Sequence, residues 1–341
     1  MTVRPGERPA DLIGKLRAEY VTTPRDLSFL DHLGRVLQRG PDQQLTLEPT
    51  RFGSQRATRG IIVPAPSGEG KSSLIGRALS VFRDVGDKGH VIPGDVIARP
   101  GAPMLLSLVT PSPGTMKSVG LEVLEKTGYA EVSDRREKWG IWKIVRHRVE
   151  LCGVRLIWFD EAQHILSEGS RTERTEALNA IKNLMTGPSA CTVILSGIET
   201  LERVREIDPQ IEGRFTFVRL KPMTGPNERR KLKSILAGLC ATAGLGAPAE
   251  PTIIDRLLHG VDGRFGRSVE VMIEAIVLAL HQKATTLDLQ HFAESWAITS
   301  GCEPLSNVFV AKTWADIPTA RHIDEDDGAT TAKKRGRKKA S

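Results

Sequence analysis

Apolar residues recur along the chain in two different periods, and the change from one to the other divides it. Between residues 8 and 40, Leu12, Ile13 and Leu16, then Leu27, Leu30, Leu33, Val36 and Leu37, stand near helical spacing. That predicts helix up to Pro41, followed by a polar connector to about residue 59. Next comes GIIV at 60–63, an apolar run bounded by turn residues, as a strand buried on both faces should be. A tight loop over 66–70 leads into SSLIGRALSVF from 72, again with helical spacing. Apolar runs at 103–109, 154–160 and 191–196 predict three more strands. Helices are predicted over about 115–127 and 135–152, the second with Trp139, Trp142, Val145 and Val149 on one side. Strands alternating with helices predict a parallel sheet covered on both faces. From residue 226 helix follows helix, over 228–243, 252–261, 268–283 and 288–296, and after Cys302 the periodicity is lost. The expected organisation is a helical segment and connector over 1–55, an α/β core over 56–224, a small helical lid over 225–302, and an extended, disordered tail over 303–341.

Composition changes this picture little, and charge changes it at one end. Apolar residues at 40% and charged residues at 26% describe an ordinary globular protein. The stretch MTVRPGERPADLIGKL has no apolar signal core, and no run of roughly 18 apolar residues occurs, so a cytoplasmic protein without a membrane partner is expected. The four cysteines stand far apart, without the paired spacing of a zinc or redox site. The formal charge is +7, but the six cations of 333–339 account for all except one of those charges. The basic signal therefore belongs to a tail that follows an acidic stretch at 324–327, and such a cluster can attract phosphates without reading sequence.

The strongest chemical signal is Ala65, Pro66, Ser67, Gly68, Glu69, Gly70, Lys71, Ser72 and Ser73, placed between a predicted strand and a predicted helix. This is the pattern of a phosphate-binding loop, in which glycines let backbone N–H groups curl around phosphates at a helix N-terminus. Lys71 is then the contact to the β- and γ-phosphates of ATP, and Ser72 places its hydroxyl on Mg²⁺. Ala65 departs from the pattern, because a glycine usually stands there. A second signal lies 89 positions after Lys71, where the apolar run LIWF ends in Asp160 and Glu161. Asp160 is expected to hold the metal and Glu161 to act on the attacking water. Ser196, closing the 191–196 strand, is placed to sense the γ-phosphate. Arg214, in DPQIEGRF, is the expected arginine finger reaching a neighbouring subunit's nucleotide, with Arg203 and Arg205 as rivals. Arg267, with Arg264 as the alternative, stands at a lid-helix start from which it could reach the γ-phosphate.

Together these residues resemble the TniB/TnsC family of transposition AAA+ ATPases, whose relatives include IstB-like helpers and the phage Mu B protein. The resemblance is carried by PSGEGKSSL at 66–74, LIWFDEAQHIL at 156–166, VILSGIETL at 193–201, DPQIEGRF at 208–215 and GRFGRSVEVM at 263–272, with LVTPSPGT at 108–115 in support. It covers about residues 10–300 and leaves the tail unexplained. It implies an AAA+ core with a helical lid, and an ATP- and Mg²⁺-dependent target-DNA adaptor. Such a protein assembles as a ring or filament on duplex DNA and recruits an integrase-type transposase, in some systems with a target-selection protein. By position, the family's DNA contacts would fall on Thr115 and Lys117, with Arg135, Arg136 and Lys138 behind them. Two other readings stay open on the sequence: a loader- or initiator-type AAA+ ATPase, and a nucleotide-binding regulator that hydrolyses little.

Overall fold

The computed structural model describes residues 9–18, 20–54, 56–83, 89–98, 100–129, 136–167, 170–220 and 224–319. They form two compact units, one of residues 22–220 and one that joins residues up to 21 with those from 221 onward. Helix α1 (Pro9–Ala18) belongs to the second unit, where Leu12 and Leu16 are buried.

The first unit opens with α2 (Pro24–Val36), whose start is fixed by a capping box: Thr23 Oγ1 accepts from the Arg25 amide, and Asp26 accepts from the Thr23 amide at 2.7 Å. The helix was expected to run on to Pro41. Instead the chain turns into strand β1 (Leu37–Arg39), which pairs antiparallel with β2 (Leu45–Pro49). The cause is a two-residue period in LTLEP, which turns Leu47 and Pro49 inward, while a turn at residues 40–44 closes the hairpin with Gln43 in the left-handed region.

The core elements follow in order: β3 (Gly60–Pro64), α3 (Lys71–Leu79), β4 (Val96–Ile97), β5 (Met104–Val109), α4 (Met116–Lys126), α5 (Lys138–Leu151), β6 (Val154–Asp160), α6 (His164–Ser167), α7 (Arg171–Leu184), β7 (Thr192–Gly197), α8 (Val204–Ile207), α9 (Ile211–Arg214) and β8 (Phe215–Phe217). The sheet order is β4-β5-β6-β7-β3-β8, parallel except for the short edge strand β4. Alternate residues along each central strand enter different cores. Ile61, Val63, Leu156, Trp158 and Ile194 pack with α2 and α3, whereas Ile62, Ile157, Phe159, Val193 and Leu195 pack with α4, α5 and α7. This double burial explains why the strands read as continuous apolar runs rather than as alternation.

Helix α3 sits close to the chain beside it. A Cβ at Gly76 would lie 2.0 Å from the carbonyl oxygen of Val91, whose amide donates to the Gly76 carbonyl. Helix α5 carries Trp142, Val145 and Val149 inward, with the Trp142 indole donating to the Met116 carbonyl at 2.6 Å. Trp139 was expected on that face and is instead 55% exposed. It borders a hollow of about 490 Å³ that Lys143, Arg146 and His147 also line. Trp139 stands only about 60° from Trp142 around the helix, but on the flank away from Ile141, Val145 and Val149, where its basic neighbours mark the edge toward solvent.

The second unit packs α1 with α10 (Pro226–Ala243), α11 (Ile253–Gly260), α12 (Phe265–His281) and α13 (Leu289–Ser300). Helices α10 and α13 end at Gly244 and Gly301, both with positive φ, and Asp288 caps α13. The chain beyond Cys302 was expected to be extended, but through Thr319 it packs onto these helices. Val308 and Phe309 are buried, Phe309 meets Phe292 and Trp296, and Arg256 donates to the carbonyls of Val308 and Ala311. Trp314 lies edge-on to His259, so here it serves local packing. A few scattered apolar residues at 305–317 suffice for this, which is why periodicity gave no sign of it. The acidic stretch at 324–327 and the basic residues at 333–339 lie outside the described residues. Among the described residues no helix is long and apolar enough to cross a membrane.

Candidate nucleotide site

The loop over 65–70 leaves the C-terminal end of β3 and enters α3. Ala65, with a conventional φ, donates its amide to the Gly197 carbonyl at 3.1 Å and so ties the loop to the end of β7. Gly68 and Gly70 hold φ of 80° and 83°, a conformation that glycine reaches without strain. Gly70 is the N-cap of α3, and no side chain caps that helix, whereas Thr23, Thr115 and Ser170 cap α2, α4 and α7. The first-turn N–H groups of α3 are thus left to an external acceptor, and a phosphate has the charge that a helix start favours. The Glu69 side chain is buried and pairs at 3.0 Å with Arg25, whose guanidinium also reaches the Glu69 carbonyl, so it braces the loop from behind. Pro66 and Ser67 shape the exposed side of the turn, and Ser73 faces solvent.

Lys71 is 7% exposed and folds back over the loop, donating to the carbonyls of Ala65 at 2.9 Å and Pro66 at 3.0 Å. Burial lowers its pKa, and the carboxylates of Glu161, Asp160, Glu69 and Glu199 offset this only in part. An ammonium in that state gains from an arriving anion.

Asp160 ends β6 and is held from two sides. Ser72 Oγ donates to its Oδ2 at 2.7 Å, and Ser196 Oγ donates to its Oδ1 at 2.5 Å. The Trp158 indole in turn donates to Ser196 Oγ at 2.8 Å. The Ser196 hydroxyl, expected to sense the γ-phosphate, is fully buried and committed to Asp160 and Trp158, so it braces the carboxylate instead. Glu161 follows with φ of 53°, and Gln163 Nε2 donates to its carboxylate. Two hard oxygen donors, Ser72 and Asp160, therefore meet beside an open helix start and a lysine, a donor set that suits Mg²⁺ with phosphate and water completing its shell. Among the described residues no cluster of three or more His, Cys, Asp or Glu could hold a metal by itself.

Arg214 lies at the other end of the sheet. Phe215 pairs with Gly60, the first residue of β3, while the phosphate loop follows Pro64. Five strand residues at about 3.3 Å each separate the two ends by roughly 13–16 Å. Arg214 donates to Thr186 Oγ1 at 3.0 Å and to the Lys182 carbonyl at 3.3 Å. Lys182, buried and ion-paired to Asp208, also reaches Gln210 at 3.1 Å and pins the DPQ turn to α7. Of the rivals, Arg205 stacks on Phe217 at 3.7 Å and pairs with Glu212, and Arg203 is exposed. In the helical unit Arg267 donates to Glu270 at 3.0 Å and Glu274 at 3.4 Å along its own helix, and Arg264 pairs with Asp262.

Thr115, Lys117, Arg136 and Lys138 are brought together around a hollow of about 310 Å³ that also presents Glu173 and Glu176. Lys138 is ion-paired with Glu176 across this hollow. Arg135 lies outside the described residues. Sequence reading missed Arg25, Lys182 and the bridging role of Gln163. The first two have partners 44 and 26 positions away and left no local sign, whereas Gln163 stood within the quoted motif.

Comparison with known proteins agrees with this geometry. No curated protein matches the sequence. Among solved structures the fold is similar to the Aeropyrum pernix ORC1 protein in complex with DNA, at 13% identity over 84% of this chain and 68% of that one, with a TM-score of 0.57. The ADP form of the Aeropyrum pernix ORC2 protein matches at 14% identity over 89% and 73%, with a TM-score of 0.47. The fold is that of an AAA+ P-loop NTPase. The sequence model for the bacterial TniB protein matches residues 52–224, just over half of the 341 residues and all of the phosphate loop, the Asp160–Glu161 strand end and Arg214, and the chain belongs to the TniB family.

Proposed function

We propose that this chain is a DNA-binding AAA+ ATPase that serves as a target-DNA adaptor in transposition. ATP-bound subunits assemble as a ring or filament on duplex DNA and recruit or activate an integrase-type transposase, and hydrolysis promotes disassembly. The observation that carries the reading is the separation of the site into two parts. Lys71, Ser72, Asp160 and Glu161 stand at one end of the sheet and Arg214 at the other, which supports a site that a neighbouring subunit's arginine completes.

The residues divide the work accordingly. Lys71 exchanges the Ala65 and Pro66 carbonyls for phosphate oxygens, and the open first turn of α3 donates to the same group. Ser72 and Asp160 would hold Mg²⁺, which when bound neutralises charge on the β- and γ-phosphate oxygens. Glu161 orients the attacking water and accepts its proton, and Arg214 stabilises the charge that spreads over the transferred phosphoryl group of the neighbouring subunit.

Thr115, Lys117 and Arg136 are the proposed backbone contacts to duplex DNA, at the capped start of α4 and beside it. Phosphate contacts of this kind give affinity that falls with salt and tolerates any sequence. Replacing Lys117 and Arg136 together by alanine is expected to weaken binding equally on unrelated duplexes. It should also make the slope of log affinity against log salt shallower by about 1.8. A titration in which the double variant keeps the parental slope and affinity would remove this surface from the DNA interface.

A further inference from the structure

We propose that Gln163 is a positioning residue for hydrolysis, fixing the carboxylate of Glu161 through a single amide that also grips the end of β7. The inference rests on the reading of Glu161 as the group that acts on water.

The orientation of the amide is settled by its neighbours. The Ile198 backbone N–H can only donate, and it donates to Gln163 Oε1 at 3.2 Å. Nε2 is thereby turned to Glu161, whose carboxylate can only accept. At 7% exposure Gln163 has little water to exchange for either bond. The close approach to Ile198 depends on a glycine: a Cβ at Gly197 would lie 2.2 Å from Gln163 Oε1. Gly197 also accepts the Ala65 amide, so the same strand end supports the phosphate loop.

Glu161 needs such a hold. It lies just beyond the strand with φ of 53°, a conformation that non-glycine residues adopt rarely and keep only when surroundings enforce it. Asp160 is braced from the same strand end through Ser196. The last residues of β7 and the residue after them thus hold both acids of the pair, Asp160 through the Ser196 hydroxyl and Glu161 through the Gln163 amide. A misplaced carboxylate costs rate without costing nucleotide affinity, because it acts on water and leaves the phosphate cradle intact.

Two variants separate this from a structural role. Gln163→Met keeps length and volume and loses both bonds. Gln163→Glu keeps an acceptor for Ile198 and loses the donor to Glu161. Both are expected to lower the kcat of ATP hydrolysis by roughly 100-fold, with parental ATP affinity. A parental kcat in either variant overturns the proposal, and so does a loss of ATP affinity that matches the loss of kcat/KM. Glu161→Gln, measured alongside, separates the two readings. If it hydrolyses at the parental rate, Glu161 is misassigned and the role of Gln163 goes with it. If it is inactive while Gln163→Met is not, only the inference about Gln163 fails.

Discussion

Glu161→Gln is expected to bind ATP as the parent does, to hydrolyse it about 100- to 10,000-fold more slowly, and to stay on DNA once assembled. The carboxylate stands beyond the metal-side pair of Ser72 and Asp160, so the substitution removes a proton acceptor without disturbing the phosphate cradle. It also leaves the Gln163 amide a carbonyl oxygen to donate to, so the local backbone should hold. Single-turnover hydrolysis and nucleotide titration on the same sample separate the two effects. Hydrolysis at the parental rate would show that another group acts on water, and DNA release at the parental rate would show that turnover does not drive disassembly.

Lys71→Ala is expected to act one step earlier. Loss of charge-assisted bonds worth about 1.5–3 kcal/mol weakens ATP binding by roughly 10- to 150-fold and assembly with it. Arg214→Ala should bind ATP normally and hydrolyse it about 1,000-fold more slowly, because the missing charge acts only in the transition state. Arg214 stands at the sheet end opposite its own phosphate loop, so the two defects fall on different sides of a shared site. Mixing the variants should partly restore activity, since an Arg214→Ala subunit keeps an intact loop and a Lys71→Ala subunit can offer it an arginine. Absence of rescue in assemblies shown to contain both would mean that Arg214 does not act across subunits. Its hydrogen bonds to Lys182 and Thr186 would then be its whole role.

How far the sequence discloses this molecule depends on whether a feature is local. The central strands are legible because burial on both faces makes them continuous apolar runs, and 154–160 ends at the residues its pattern predicts. The phosphate loop and the Asp160–Glu161 pair are legible because their chemistry requires particular residues in immediate succession. The hairpin of β1 and β2 is not, since five residues of weak alternation resemble a polar connector. Strand β4 has two residues and no pattern of its own. Ser196 shows the limit at the site itself. Its position at a strand end was evident, but its commitment to Asp160 depends on Trp158 from the adjacent strand approaching its hydroxyl. Arg25 with Glu69 and Lys182 with Asp208 likewise join residues that only the fold brings together.

The division of one site between two subunits is tested most directly by electron microscopy of the protein with duplex DNA, with and without a non-hydrolysable ATP analogue. The account predicts rings or filaments enclosing DNA only when the analogue is present, with Arg214 of one subunit facing the phosphate loop of the next and Lys117 and Arg136 toward the DNA backbone. Single subunits indifferent to both ligands, or assemblies in which Arg214 faces away from the neighbouring nucleotide, would contradict it.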